Sequence, residues 1–324
     1  MPRPDPAELI EATRRGDRAA LARLLSIIER GGEGARSVGR ACHGLGSDAY
    51  TVGITGAPGA GKSTLTSALI DLVRARDERV AVLAIDPSSP FSGGAILGDR
   101  VRMGVHALDE GVFIRSMATR GHLGGLAVAA PEAVRVLTAA GYPWVLLETV
   151  GVGQVEVDVI GQADTTVVVV NPGWGDAVQA NKAGLMEIAD VFVINKADRP
   201  GADETARDLR RMLDMAGAET WRPPVVCATA TSGDGVEDVW RAVVDHRDHL
   251  VATGELGERH HRRAAEEVTR LVAARLLDQA RALTSGPRAA ELAAAVAAGD
   301  TDPWTAADQL LDESQASLGS GDAR

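Results

Sequence analysis

Nine residues, Gly56-Ala57-Pro58-Gly59-Ala60-Gly61-Lys62-Ser63-Thr64, constrain this chain more than any other stretch, because they fit G-x-x-x-x-G-K-[ST] and both flanks suit it. In such a loop glycines let backbone N–H groups close around phosphates, the lysine reaches the terminal phosphates, and the hydroxyl is a magnesium ligand. Upstream, 51–55 is an apolar, β-branched run suited to a buried strand; downstream, Leu65, Leu69, Leu72 and Val73 recur at helical spacing across 63–76. The loop therefore feeds a helix N-terminus, where free amides and the helix dipole favour anions. A chance glycine-rich turn has no reason to hold Lys62-Ser63 in register with both flanks.

A second motif, Asn195-Lys196-Ala197-Asp198, closes the apolar run 191–194 and so stands at a strand's carboxyl end, where open α/β sheets bind ligands. A carboxylate at Asp198 can accept hydrogen bonds from the N1–H and exocyclic amine of guanine, which adenine does not offer together. Alone, N-K-x-D is short enough to be a helix-capping loop. Following a phosphate loop in chain order, it reads as a guanine selector. The two motifs together predict a GTPase, with GTP and GDP as its nucleotides and Mg2+ as its metal.

The rest of the chain supports an α/β fold. Strand-like runs at 51–55, 79–86, 111–115, 144–149, 165–170, 191–195 and 224–229 alternate with helical patterns, the rhythm of a mostly parallel sheet covered by helices on both faces. The second and third runs are separated by a predicted helix over 97–108, and a crossover of that length favours parallel pairing. Ras-like GTPases place an antiparallel hairpin there, whereas the signal-recognition and metallochaperone GTPases keep the strands parallel; the second class is expected. Before the sheet, Leu9, Ile10, Leu21, Leu24, Leu25 and Ile28 predict one or two helices, broken by the glycines at 31–34. After Gly254 strand signals stop, and alanine- and leucine-rich helices are predicted over 258–283, 288–298 and 303–317. These helices either pack on their own domain or form an arm exchanged between subunits. The expected divisions are an N-terminal helical region, 1–48, a P-loop domain, 49–254, and a C-terminal helical arm, 255–324.

Composition narrows the setting. At 324 residues with 45% hydrophobic content the chain can bury a sizeable core. No stretch approaches the roughly 20 uninterrupted apolar residues of a spanning helix, and residues 1–11 lack a basic segment and an apolar signal core, so a cytoplasmic protein is expected. Two cysteines, Cys42 and Cys227, make neither a disulfide framework nor a zinc ribbon. A net charge of −11 argues against broad nucleic-acid affinity. The basic run 259–263, with His260 and His261, reads as a solvated helix start.

Three carboxylates are placed to work beside a nucleotide. Asp86 closes the second strand, Asp99 follows the turn Ser92-Gly93-Gly94, and Glu148 closes the fourth strand in Glu148-Thr149-Val150-Gly151. Phosphoryl transfer to water rests on positioning and charge stabilisation. On that basis Lys62 and the loop amides neutralise phosphates, Ser63 binds magnesium, and Asp86 and Glu148 lie in the metal's first or second shell. Asp86, Asp99 or Glu148 orients the attacking water, and Gly151 offers its amide to the γ-phosphate, so that hydrolysis releases 152–158. Asn171-Pro172-Gly173-Trp174-Gly175-Asp176 reads either as a second mobile segment or as a glycine-rich turn into a helix that carries Lys182.

These motifs, with Asp86-Pro87-Ser88-Ser89, Gly98-Asp99-Arg100, Gly124-Gly125, Glu148-Thr149-Val150-Gly151-Val152-Gly153-Gln154, Gly175-Asp176, Gln179 and Lys182, resemble the MeaB/ArgK/MMAA family over about 50–235. That family comprises GTPase chaperones of adenosylcobalamin-dependent acyl-CoA mutases. The resemblance implies a homodimer built by the C-terminal arm, and a GTP cycle that gates cofactor delivery to the mutase and protects it from inactivation. It implies switch roles for Gly153, Gln154, Asp176, Gln179 and Lys182, and matches Thr229-Ala230-Thr231 to a loop that backs the guanine. Ala177, Asn181 and Trp174 depart from the family pattern and bear on the partner's identity: methylmalonyl-CoA mutase is the default, with isobutyryl- and ethylmalonyl-CoA mutases as the alternatives. The competing readings are a P-loop kinase, against which the guanine tetrad argues, and a nickel metallochaperone GTPase, for which a His-rich tail or Cys-Pro-Cys loop is lacking.

Overall fold

The computed structural model describes residues 5–45, 49–86, 104–118, 125–149, 160–173, 187–215 and 220–319. The chain divides into two compact units, 1–263 and 264–324.

Among the described residues the first unit is built on seven strands: β1 Tyr50–Gly56, β2 Val80–Asp86, β3 Val112–Ala118, β4 Trp144–Thr149, β5 Thr165–Val170, β6 Val191–Asn195 and β7 Val225–Ala228. Their order is β3-β2-β4-β1-β5-β6-β7, and every pairing is parallel. The central strands are buried along their whole length, which is why they read as unbroken apolar runs with no alternation. On one face, α4 (Lys62–Ala75) packs Leu65, Leu69, Ile70 and Val73 with Val52, Ile54, Val82 and Leu146. Val239, Trp240 and Val243 of α7 (Val236–Thr253) join that core. The other face carries three N-terminal helices and α5 (Gly125–Ala139), which cover Ala81, Leu83, Val145 and Leu147. Beside them, α6 (Ala202–Met215) packs Leu209 and Leu213 with Val168, Val170 and Phe192.

The N-terminal region holds three helices, α1 Pro6–Arg14, α2 Arg18–Arg30 and α3 Gly32–Cys42, one more than the sequence suggests. Asp17 caps α2 by accepting from the amides of Ala19 and Ala20, at 2.9 and 3.0 Å. Gly31, at φ +69°, ends α2 as expected, yet the glycine-rich stretch after it starts α3 where a break was anticipated. Close packing explains this: a Cβ on Gly34 would lie 3.1 Å from Ile27, and one on Gly39 would meet the Glu132 carboxylate of α5. Those glycines set helix contacts. A second correction concerns 97–108: of this span only 104–108 is described, and it is a single 3-10 turn, Gly104–His106, followed by a turn. β2 and β3 are nevertheless parallel, with Val80 opposite Val112 and Asp86 opposite Ala118.

Helix α8 (Glu255–Thr284) begins in the first unit; its remainder, with α9 (Pro287–Ala298) and α10 (Pro303–Gly319), forms the second. In the second unit Arg288 of α9 pairs with Glu313 of α10 at 3.0 Å, and Asp302 caps α10 through the amides of Trp304 and Thr305. Among the described residues no helix is long and apolar enough to cross a membrane.

Candidate nucleotide site

The phosphate loop links β1 to α4 at the carboxyl rim of the sheet, and its glycines answer to particular contacts. A Cβ on Gly56 would fall 1.9 Å from the Val169 carbonyl oxygen of β5, so only glycine lets β1 turn out of the sheet here. Gly61 caps α4 in the left-handed region, at φ +92°. Lys62 follows as the first residue of the helix. Its side chain folds back, and Nζ donates to the carbonyls of Gly56 (2.8 Å) and Ala57 (3.1 Å), the posture of an ammonium held over the loop it serves. Pro58 and Gly59 are exposed, Ala57 and Thr64 are half-buried, and Ala60 is buried.

Behind the loop, side-chain alternation along β4 sends Glu148 to the α4 face and Thr149 to the other. Glu148 is 2% exposed, and its Oε1 accepts a hydrogen bond from Ser63 Oγ at 2.5 Å. This hydroxyl and carboxylate fit a small, hard divalent cation that completes its shell with phosphate oxygens and water. Among the described residues no group of three or more His, Cys, Asp or Glu could hold a metal ion without such help.

The tetrad is bonded to the loop. Asn195 ends β6, 2% exposed, and its Nδ2 donates to the carbonyls of Ala60 (2.9 Å) and Gly61 (3.3 Å). Its Oδ1 accepts from the amides of Lys196 (2.9 Å) and Ala230 (3.1 Å). Lys196, at φ +59°, reaches back so that Nζ donates to the Gly59 carbonyl at 2.6 Å. The Ala197 amide donates to Ala228 at 3.0 Å, and the turn after β7 is closed by the Thr229 amide donating to Asp234 at 2.8 Å. Asp198 and Thr231 are exposed on this rim. Residues 56–64, Ser63 with Glu148, Asn195 with Lys196, and 229–231 therefore meet at one sheet edge. Sequence reasoning brought these residues to one site, but not the bonds that Asn195 and Lys196 make to the loop. No local signal announces a contact spanning about 135 residues.

Asp86 ends β2 at the same rim, with its side chain outside the described residues. Asp99, Gly151, Gly153, Gln154, Asp176, Gln179 and Lys182 also lie outside them.

The opposite, amino end of the strands corrects the reading of 259–263. Arg259 pairs with Asp190 at 3.1 Å and donates to the Asp164 carbonyl at 3.0 Å; His260 Nε2 lies 2.9 Å from Asp164 Oδ1, which Arg263 also contacts. Only His261 and Arg262 are solvated. The acids that order this run sit just before β5 and β6, far off in sequence. Asp164 Oδ2 accepts from the Thr51 amide and hydroxyl, both at 2.8 Å. Burial pushes the Asp164 carboxyl upward, but His260, Arg263 and the Thr51 amide outweigh it and hold the pKa down to about 2. Next to them His246 is wholly buried, 3.3 Å from Asp190 and 2.8 Å from Thr165 Oγ1. Burial lowers its pKa to about 4, against the pull of Asp190. It is a neutral imidazole at pH 7.

Comparison with known proteins gives one consistent answer. The family model "Methylmalonyl Co-A mutase-associated GTPase MeaB" matches residues 21–285. The chain is 49% identical to a "Putative GTPase" of Pyrococcus abyssi, over 94% of this chain and 96% of that one. It is 37% identical to GTPase ArgK of Escherichia coli, over 80% and 81% of the two chains. The crystal structure of LAO/AO transport system kinase superposes with a TM-score of 0.70 at 28% identity, covering 96% of this chain and 97% of the other. With its parallel sheet, the P-loop and Asn195–Asp198 motifs at one rim and a family match over most of its length, the chain is a GTPase and belongs to the MeaB family.

Proposed function

We propose that this GTPase couples a Mg2+-dependent cycle of GTP binding and hydrolysis to an adenosylcobalamin-dependent acyl-CoA mutase, gating cofactor loading and protecting the loaded enzyme, with methylmalonyl-CoA mutase as the first candidate. The observation that carries the nucleotide half is the Asn195 side chain, which bonds the guanine loop to the carbonyls of Ala60 and Gly61. The partner half is supported by the family's own description as mutase-associated.

In this reading Lys62 and the amides of 56–64 bind the β- and γ-phosphates, and Asp198, backed by 229–231, selects guanine. Ser63 and Glu148, with Asp86, hold the metal; a bound Mg2+ supplies charge neutralisation between the phosphates. Glu148 keeps Ser63 Oγ turned to the nucleotide side, which fixes that hydroxyl before any ligand arrives. Asp86, Asp99 or Glu148 orients the attacking water. Gly151 reports the γ-phosphate, with Gly153 and Gln154 following it, and Asp176, Gln179 and Lys182 answer to the partner. Residues 255–324 serve as the arm of a homodimer. Cytoplasmic residence suits the two free cysteines, Cys42 and Cys227.

GTP and ATP hydrolysis by the purified protein, alone and with each adenosylcobalamin-dependent acyl-CoA mutase, tests this. Guanine-selective turnover accelerated by one mutase is expected. Equal turnover with and without every mutase removes the partner half, and transfer of phosphate to a small-molecule acceptor revives the kinase reading suggested by the name of the related crystal structure.

A further inference from the structure

We infer that Thr149 is a positioning residue for GTP hydrolysis, acting through its hydroxyl bond to Thr55. Thr149 Oγ1 donates to Thr55 Oγ1 at 3.0 Å, and both side chains are fully buried. They lie on the sheet face away from α4, in line with Val145 and Leu147 of β4. Burial alone does not say what two hydroxyls are for here, since both threonines have further interactions beside this bond.

Their neighbours do. One residue after Thr55, the Gly56 carbonyl accepts from Lys62 Nζ at 2.8 Å. One residue before Thr149, Glu148 Oε1 accepts from Ser63 Oγ at 2.5 Å. The β1–β4 ladder runs from Tyr50 opposite Trp144 to Ile54 opposite Glu148, and the hydroxyl bond is the next tie, one step beyond, at the rim. It fixes the sliding of two strand ends against each other: one holds the phosphate lysine and the other holds the carboxylate behind Ser63. It does so from the face away from α4. A slip of under an ångström between these ends would move Glu148 relative to Ser63, and misplacements of that size are costly to catalysis. The chain then continues from Thr149 to Gly151 in two residues. This inference rests on the reading of Lys62, Ser63 and Glu148 given under Proposed function.

The test compares the double variant Thr55→Val/Thr149→Val, the hydroxyl-retaining Thr149→Ser, and Glu148→Gln in steady-state GTP hydrolysis, fluorescent-GDP affinity and thermal unfolding. The double variant is expected to stay folded at the assay temperature and bind GDP within about threefold of wild type, while kcat falls about tenfold at unchanged KM. Thr149→Ser should stay within about twofold of wild type in kcat. Wild-type turnover in the double variant overturns the inference. So does a loss of GDP affinity as large as the loss of kcat, an equal defect in Thr149→Ser, or unfolding well below wild type, which would make the pair structural. Glu148→Gln separates the two levels. If it turns over normally, the reading of the site itself fails; if it is slow while the double variant is normal, only the role of the threonine pair fails.

Discussion

Gly61 sits directly beneath the side-chain amide of Asn195, so closely that a Cβ on Gly61 would lie 2.3 Å from Nδ2. The loop at 56–64 and the turn that Asn195 opens thus share one buried contact. Gly61→Ala meets both this obstruction and a left-handed backbone at φ +92°. Asn195→Ala leaves the Ala60 carbonyl and the Ala230 amide without their partner, at a cost of about 2–3 kcal/mol. Each variant should bind GDP at least about thirtyfold more weakly than wild type in a fluorescent-nucleotide titration. Adenine and guanine nucleotides should suffer alike, because the phosphate loop itself is displaced.

Asp198 is placed differently. It is exposed on the rim, and no described contact ties it into the loop architecture. Asp198→Asn replaces a carboxylate acceptor with an amide that presents a donor to one of guanine's two donors. The ratio of GTP to ATP affinity should fall about 10- to 100-fold, as expected for a lost pair of base contacts worth 1–3 kcal/mol. Phosphate binding should persist, so GDP and ADP should converge in competition titrations. An unchanged base preference would remove Asp198 as the selector.

The His246 environment predicts a pH dependence with a definite sign. Its folded pKa, about 4, lies below the ordinary histidine value of 6.5, so the unfolded chain binds the proton more readily. The neutral imidazole's contribution is intact above about pH 6.5 and is lost as pH falls from 6.5 to 4. The loss is on the order of 3 kcal/mol. Asp164, held at about 2 against an ordinary aspartate value of 3.8, adds a further loss only below pH 3.8. Urea unfolding between pH 7 and 4 should show stability declining in wild type, and a flatter profile in His246→Gln whatever that variant's stability at pH 7.

Asp164 itself joins β1 to the start of α8. Its two oxygens take the Thr51 amide and hydroxyl on one side and His260 and Arg263 on the other. Asp164→Asn keeps the shape but leaves the Arg263 charge in place, 17% exposed, without its carboxylate. Breaking a buried pair in this way costs about 3–5 kcal/mol. The urea midpoint should fall accordingly, whereas Arg262→Ala, on the solvated side of the same turn, should leave it unchanged.

These networks mark the boundary of what the sequence disclosed. The phosphate loop and the tetrad were legible because their chemistry lies in consecutive residues. The strands were legible because double burial makes each an unbroken apolar run, as in Val191–Asn195. Helix α3 was not: its glycines suit close approach to Ile27 and Glu132, and a glycine that packs looks in sequence like one that breaks. The run 259–263 was misread for a related reason. Arg259 and Arg263 are ordered by Asp190 and Asp164, and nothing local distinguishes those two acids from the many others in the chain. Pairing over such distances is a property of the fold.

The part of α8 that belongs to the second unit exposes an apolar stripe. Val268, Val272 and Leu276 recur every four residues, on one side of the helix, and are 61%, 52% and 59% exposed; Leu277 beside them is 50% exposed. Burial of a valine or leucine side chain is worth about 1.5–3 kcal/mol, so a partner that covers the stripe gains several kcal/mol. The homodimer proposed for this family member assigns that cover to the same stripe of a second copy, since a two-fold axis places like residues together. Val272→Glu with Leu276→Glu puts like charges across such an axis. Light scattering should then report a dimer for the wild type and a monomer for the variant. GDP affinity should stay within about twofold, because the stripe belongs to 264–324 and the nucleotide site to 1–263. A wild type that is monomeric at micromolar concentration would take the arm out of dimerisation and leave its apolar face to the mutase.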